Sequence, residues 1–224
     1  LGICAALFGV VFAAIQSDMK RLLAYSSIEN MGLIFIGIGL ALIFERSNMW
    51  TFAALALSAA LCHCLNHAFF IILLFLGTGS VLHATHERNL SKLGGLIHLM
   101  PWVAWICLIG ALASAGVPPF NGFISEWLLL QSFLFTSAIP DSYLNMLLPV
   151  LAAAIVLVAA LAGFTMVKFF GIIFLGNARD TNIAHAKDAG FLERAGLVWL
   201  AAFCVLLGVL PNLLIAKLMN LSQF

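Results

Sequence analysis

Residues 116–126 read Gly-Val-Pro-Pro-Phe-Asn-Gly-Phe-Ile-Ser-Glu and interrupt an apolar run that extends from 101 to 136. An unbroken helix over that run would be ~54 Å long at ~1.5 Å per residue, against a hydrocarbon core of ~30 Å. Pro118 and Pro119 remove backbone donors, and Gly122 permits unusual dihedral angles. The run is therefore predicted to form one broken helix. Broken backbone at membrane depth is tolerated only where it is buried in protein or lines a cavity, as in transporter sites.

The composition of the whole chain is that of a membrane protein. Of 224 residues, 64% are hydrophobic and 8% are charged, and the mean hydropathy is +1.14, far above the values of soluble domains. The sequence predicts an all-α, polytopic transmembrane helix bundle that forms a single domain over 1–224. About six spans are predicted, at 1–16, 22–44, 51–82, 101–136 in two halves, 146–175 and 195–216. The net charge of +1 gives no reason to propose nucleic acid as a partner.

Basic residues are divided unequally between the two ends of these spans. If the first span ends in the cytoplasm, seven basic residues lie on the cytoplasmic side and two lie outside, in agreement with the positive-inside rule. The seven are Lys20, Arg21, Arg88, Lys92, Arg179, Lys187 and Arg194. The two are Arg46 and Lys217. The segment 84–100 is short and amphipathic, and we expect it to lie along the cytoplasmic interface.

Ionisable side chains deep inside the apolar runs carry the functional signal. They are Glu29, His63, His67, Glu126 and Lys168. A charged side chain at a helix centre costs about 2.5–3.5 kcal/mol on insertion scales, so such residues usually face a bundle interior or a water-filled path. His63 and His67 lie on one helix face and can hold or pass a proton at physiological pH. The pattern predicts a proton path.

Each candidate also has a structural interpretation. A buried histidine commonly hydrogen-bonds to a neighbouring helix, and the spacing of His63 and His67 would also suit a metal or a haem. Glu126 can complement the dipole of the second half-helix from its first turn. Lys168 can snorkel toward its helix end, and Lys20 can anchor the topology as well as gate or couple transport. We predict no metal and no cofactor, because no cysteine pattern suits an iron–sulfur cluster and no nucleotide motif appears.

Four strings carry a resemblance to a known family. The chain resembles the antiporter-like, proton-conducting membrane subunits of respiratory complex I, multisubunit sodium/proton antiporters and membrane-bound nickel–iron hydrogenases. Its versions of the strings are most similar to the large membrane subunits of formate hydrogenlyase and hydrogenase-4 complexes. The strings are Gln-Ser-Asp-Met-Lys-Arg-Leu-Leu-Ala-Tyr-Ser-Ser-Ile-Glu-Asn-Met-Gly at 16–32, Cys-Leu-Asn-His-Ala-Phe-Phe at 64–70, Lys-Leu-Gly-Gly-Leu at 92–96, and 116–126.

The resemblance implies a place in a fourteen-helix fold with two inverted repeats, each containing one broken helix. This chain would supply the ninth to fourteenth helices, with the first repeat absent. By position, Lys20, His63, His67 and Glu126 match residues of the family's proton path, and Glu29 falls in the hydrogenase-type variant of its motif. Many relatives have a lysine where this chain has Ile71, so the resemblance predicts either impaired conduction or substitution by Lys168 or ordered water.

The predicted function is therefore that of a proton-translocating, multi-pass subunit in the cell inner (plasma) membrane. Its partners would be the lipid bilayer, other membrane subunits and peripheral iron–sulfur or nickel–iron hydrogenase-like subunits that perform the redox chemistry. Three alternatives stay open: a non-conducting scaffold that anchors the redox subunits, a sodium/proton antiporter subunit, and a haem-binding span using His63 and His67. The sequence does not distinguish H⁺ from Na⁺ as the transported ion.

Overall fold

The computed structural model describes residues 1–179, 183, 186–212 and 215, and all regular structure among them is helical. The fold class predicted from the sequence is confirmed. The described residues form seven α-helices in order along the chain: α1 Gly2–Ile15, α2 Met19–Arg46, α3 Trp50–Thr85, α4 Pro101–Ser114, α5 Asn121–Leu134, α6 Ser142–Phe174 and α7 Phe191–Val209. Within the described residues, α2, α3, α6 and α7 are long and apolar enough to cross a membrane, whereas α1 and α4 are shorter apolar helices.

The predicted break lies between α4 and α5. α4 ends at Ser114 and α5 begins at Asn121, with the cis Pro118–Pro119 peptide in the connection. α7 covers this connection so closely that a Cβ at Gly208 would overlap the carbonyl oxygen of Pro119. α7 thus packs against the second half of the connection, whereas Val117, Pro118 and Pro119 are exposed on the surface of this chain.

Helix α3 is the centre of the bundle. It packs against α2, α4, α5 and α7, while α6 packs mainly on α1 and α4. Fully buried side chains such as Phe70, Leu73 and Leu74 join α3 to its neighbours. Polar side chains on the inward faces of α3 therefore meet potential partners on four neighbouring helices.

One end of the bundle gathers the loops that carry the basic residues. The connection after α3 meets the start of α2, where Met19 N–H donates to Arg88 O at 3.1 Å. Asp18 caps α2 by accepting from the N–H groups of Lys20 and Arg21, and it also pairs with Arg88 at 3.2 Å. Asp188 reaches the first turn of α4, and Gly95 N–H donates to Leu175 O at 3.0 Å. These contacts bring together the loops expected to be cytoplasmic. Lys217, assigned from the sequence to the opposite side, lies outside the described residues.

The segment 84–100 differs from a regular helix over most of its length. α3 continues to Thr85, and two short 3₁₀ turns follow at Leu90–Lys92 and Leu96–His98. Leu93 and Leu96 are fully buried in the protein core. Gly95 explains the difference, because its φ of +68° ends any regular helix and a Cβ there would crowd the backbone of 176–178. The apolar side of the segment therefore packs on protein.

Candidate functional site

His63 lies at the junction of α2, α3 and α5 and is only 3% exposed. Its Nε2 is 3.1 Å from Asn30 Oδ1 on α2, and its Nδ1 is 2.9 Å from Ser125 Oγ on α5. The amide nitrogen of Asn30 donates to Ser26 O at 2.8 Å, which leaves only the amide oxygen for His63. Nε2 must then be the protonated nitrogen of the neutral ring, and Nδ1 is the acceptor.

The Ser125 hydroxyl has two possible hydrogen-bond acceptors on the Nδ1 side of the His63 ring. Its hydroxyl lies 2.9 Å from His63 Nδ1 and also 3.1 Å from Gly122 O, so its single proton can point to either acceptor. With neutral His63, the hydroxyl donates to Nδ1. With cationic His63, Nδ1 donates to Ser125 Oγ and the hydroxyl turns to Gly122 O. Both charge states of the imidazole therefore keep their hydrogen bonds without movement of any helix.

Two asparagines join α3 to the start of α5. Asn66 Nδ2 donates to Asn121 O at 2.8 Å and to Ser125 Oγ at 3.2 Å, and Asn121 Nδ2 donates back to Asn66 O at 3.4 Å. Within the described part of the chain, the Oδ1 atoms of both asparagines and Ser114 Oγ are buried without a hydrogen-bond partner. Buried polar atoms of this kind are commonly satisfied by ordered water. The break is thus lined by unoccupied acceptors.

Glu29 lies on the α2 side of the histidine. It is 2% exposed and accepts from Ser26 Oγ at 3.4 Å. Ser26 also lies within hydrogen-bond distance of Asn30, so Glu29 and His63 belong to one polar cluster. α1 covers this position, because a Cβ at Gly9 would overlap the backbone nitrogen of Glu29.

His67 on α3 and Glu126 on α5 are both half-buried. His67 packs edge-on against Phe70 at 5.3 Å between ring centroids, and among the described residues its buried Nδ1 has no partner. The carboxylate of Glu126 lies against Gly116, whose φ is +63°. A Cβ at Gly116 would come within 3.0 Å of the carboxyl carbon. Only glycine satisfies both the backbone conformation and the space beside this carboxylate.

The structural interpretation of Glu126 as a first-turn residue is wrong. α5 begins at Asn121 after Phe120, which makes no side-chain cap, and its first turn contains no acidic residue. Glu126 therefore lies in the second turn, too far along the helix to complement the N-terminal dipole strongly.

The two lysines lie apart from the His63 cluster. Lys168 Nζ donates to Ala14 O and Gln16 O, both at 2.7 Å, so it satisfies carbonyls at the C-terminal end of α1. Lys20 is exposed in the first turn of α2. Over the described ranges, neither side chain makes a hydrogen bond to the residues around His63.

Neutral polar residues form most of the cluster, and the search for ionisable groups missed them. Their spacing in the sequence is the signal that could have identified them. Ser26 and Asn30 are one turn apart on α2, and Asn121 and Ser125 are one turn apart on α5. Polar side chains repeated at helical spacing inside apolar spans mark a shared inward face.

Metal or haem ligation does not suit His63, because both of its ring nitrogens are engaged by Asn30 and Ser125. In the described ranges, no three residues of His, Cys, Asp or Glu approach one another closely enough to hold a metal ion. The arrangement suits proton holding better than ligation.

Comparison with known proteins adds a family context. The family model described as NADH:quinone oxidoreductase/Mrp antiporter, TM, matches residues 1–155. Hydrogenase-4 component B of Escherichia coli (strain K12) is 37% identical over 223 residues, which cover 100% of this chain and 33% of that protein. Formate hydrogenlyase subunit 3 of the same organism is 38% identical over 209 residues, covering 93% and 34%. The chain spans about a third of the length of these relatives.

A solved structure has the same fold. One chain of the Mrp complex from Dietzia sp. DQ12-45-1b superposes with a TM-score of 0.81 at 22% identity, covering 99% of this chain and 45% of that one. At this identity, the match supports the helical architecture alone.

The contact between Gly116 and Glu126 yields a test of the site geometry. We expect Gly116→Ala to lower the free energy of unfolding by ~1–3 kcal/mol, because the new Cβ overlaps the Glu126 carboxylate and strains a positive φ. Thermal unfolding of the purified membrane protein measures the change. Gly163→Ala is the matched control, because nothing lies within 4 Å of its Cβ position. Shortening Glu126 to Ala in the Gly116→Ala background should recover part of the loss. If the effects of Gly116→Ala and Glu126→Ala on the free energy of unfolding were strictly additive, they would contradict a contact between the two residues.

Proposed function

Because the chain belongs to the NADH:quinone oxidoreductase/Mrp antiporter transmembrane family, we propose that it passes protons through the membrane as part of a larger subunit. The observation that carries the proposal is the double engagement of His63, which joins α2 to the broken helix and has a hydrogen-bonded arrangement for each charge state. Protons are the proposed ion, since the groups that exchange them form the centre of the cluster.

In the proposed mechanism, Nδ1 of His63 is the exchanging atom. Asn30 does not relay a proton, because a side-chain amide exchanges protons poorly. It fixes Nε2 as the donor and thereby reserves Nδ1 for Ser125. A proton arriving from water at the break binds Ser125 Oγ as the hydroxyl's own proton passes to Nδ1, and the newly bound proton then points to Gly122 O. In the reverse transfer, Nδ1 returns a proton to Ser125 Oγ and the serine releases one to water at the break. Water on the free oxygens of Asn66 and Asn121 would supply the connection.

The remaining predicted path residues take proposed roles around this step. Glu126, beside Gly116, is the carboxylate that accepts or gives up the proton at the break, and His67, one turn from His63 on α3, is a further proton-exchanging group. Glu29 sets the charge on the α2 side. Lys20 and Lys168 act by their charge, with Lys168 also holding the end of α1 in place.

The setting of the site is also a proposal. We infer that residues 1–224 form one transmembrane domain equivalent to the second repeat of an antiporter-like subunit in an inner or plasma membrane. The names of the two Escherichia coli relatives place them in hydrogenase-4 and formate hydrogenlyase. Redox chemistry would accordingly belong to peripheral partner subunits, with this chain coupled to them through other membrane subunits.

A non-conducting scaffold is the second candidate, and Ile71 favours it. Ile71 follows His67 by one turn on α3, is 8% exposed and packs in the apolar core. No ionisable residue occurs on α3 between His67 and His83. A proton would therefore have to leave α3 at the break, or not pass at all.

Replacement of Glu126 separates the two candidates. In the complete membrane complex, Glu126→Gln should lower proton flux about tenfold or more while assembly survives, because the side chains are nearly isosteric and only the exchangeable proton is lost. Glu45→Gln, at an exposed position near the other end of α2, is the matched control and should leave flux unchanged. A pH-sensitive dye in inverted vesicles gives the measurement. Unchanged flux in a fully assembled Glu126→Gln complex would support the scaffold.

The hydroxyl of Ser125 provides a second test. Ser125→Ala should lower proton flux, because His63 loses the partner that reorients between its two charge states. Ser132→Ala is the control on the same helix, since Ser132 is equally buried and, among the described residues, its hydroxyl bonds only to Leu128 O, at 3.0 Å. Flux is followed in the same vesicles. Equal losses in the two variants would remove any special role of Ser125.

A further inference from the structure

An apolar groove runs along the seam between α4 and α7. Its volume is about 520 Å³, and its lining consists wholly of apolar side chains, including Ile106 and Ile109 of α4 and Val198, Ala202 and Val205 of α7. We call it the α4–α7 groove. From Val198 to Leu210 it extends ~18 Å along α7 at ~1.5 Å per residue, close to the ~15 Å depth of one membrane leaflet.

A cationic side chain lies on α7 one helical turn before the groove, at the end of the bundle where α4 and α7 begin. Arg194 places its guanidinium carbon 5.7 Å from the centre of the Trp102 ring on α4. Its Nη2 is 3.7 Å from Asp188, and across the described ranges its buried Nε has no hydrogen-bond partner. Asp188 is already occupied, because its oxygens accept from the N–H groups of Trp102 and Ala189 at 3.0 and 2.8 Å. Arg194 therefore retains donors for another ligand.

The start of α7 adds further donors. This 19-residue helix begins after Gly190 and has no side-chain cap. Its first-turn carboxylate, Glu193, accepts a hydrogen bond from Ser80 on the α3 side of the helix, away from the groove. Uncapped N–H groups and a guanidinium next to one another favour an anionic oxygen ligand.

We propose that the α4–α7 groove binds one membrane glycerophospholipid. Its phosphate lies against Arg194 and the first turn of α7, and one acyl chain fills the groove. Burial of apolar surface gives no driving force against lipid, so selective retention depends on the phosphate contact and on the fit of the chain. Trp102 lies beside the headgroup, as interfacial aromatic residues do. The site is independent of the proposed proton path.

The test uses the complete membrane assembly that contains this chain. It is reconstituted in phosphatidylethanolamine–phosphatidylglycerol vesicles that include phosphatidylethanolamine with a photoreactive diazirine in its acyl chain. Cross-linked peptides are quantified by mass spectrometry. We expect labels on 106–109 and 198–210. Arg194→Gln should reduce them about tenfold through loss of a charge-assisted hydrogen bond. Ala202→Phe should abolish them by filling the groove.

Two matched controls should leave the labelling unchanged. Lys187→Gln removes a cation at the same end that does not line the groove, and Ala160→Phe adds the same ring at an exposed position of α6. If Arg194→Gln prevents assembly, the labelling of Ala202→Phe alone decides whether the α4–α7 groove binds lipid. Equal labelling in wild type and Ala202→Phe would mean that the labelled lipid is ordinary surrounding lipid, and this result would overturn the proposal. Absence of label in the wild type, with a polypeptide segment cross-linked to the groove instead, would also overturn it.

Discussion

The need to satisfy the polar backbone of a broken helix inside a membrane governs the arrangement of this protein. Where α4 stops and α5 starts, backbone groups lose their helical partners, and hydrocarbon offers no replacement. Turn hydrogen bonds at the end of α4 meet part of this need, because Gly116 N–H donates to Ala113 O and Val117 N–H donates to Leu112 O. Beside them, Asn66 of α3 donates to Asn121 O, and the Asn121 amide donates back to Asn66 O. The exchange ties the start of α5 to the middle of α3. α7 packs against the second half of the connection through Gly208.

That tie also places the candidate site. One turn beyond Asn121, Ser125 is held against His63, and Asn30 approaches the opposite ring nitrogen from α2. One residue further, Glu126 turns to the other side of α5 and occupies the space left by Gly116. A proton-holding ring and a carboxylate therefore flank the same piece of irregular backbone. The side chains that tie the break to α3 and those proposed to exchange the proton are thus neighbours on the same helices.

Much of the fold could be predicted from the sequence because its signals are local. Pro118, Pro119 and Gly122 identified the break, hydropathy identified the apolar helices, and the family predicted from the motif strings is confirmed. The irregular course of the segment 84–100 was not evident, because Gly95 and tertiary contacts with 176–178 decide it, and neither is a local amphipathic signal.

The site was less predictable, for a physical reason. A charged residue in an apolar span is conspicuous, so Glu29, His63 and Glu126 were identified. The neutral residues that orient them, Asn30 and Ser125, resemble ordinary helix residues until three helices are assembled. For Lys168, the charge was evident from the sequence but the hydrogen-bond partners were not, because its two acceptors lie 152 and 154 residues earlier in the chain.

The central claim is that His63 is a proton-holding group whose exchanging nitrogen faces the broken helix. Solid-state ¹⁵N NMR of the histidine-labelled complex in lipid, with His63 assigned by its loss in His63→Gln, tests this most directly. The account predicts a neutral ring protonated at Nε2 at high pH, and a ring that gains its second proton at Nδ1 as the pH falls. A neutral ring protonated at Nδ1 instead, or a ring that never gains the second proton across the pH range in which the complex transports, would contradict it.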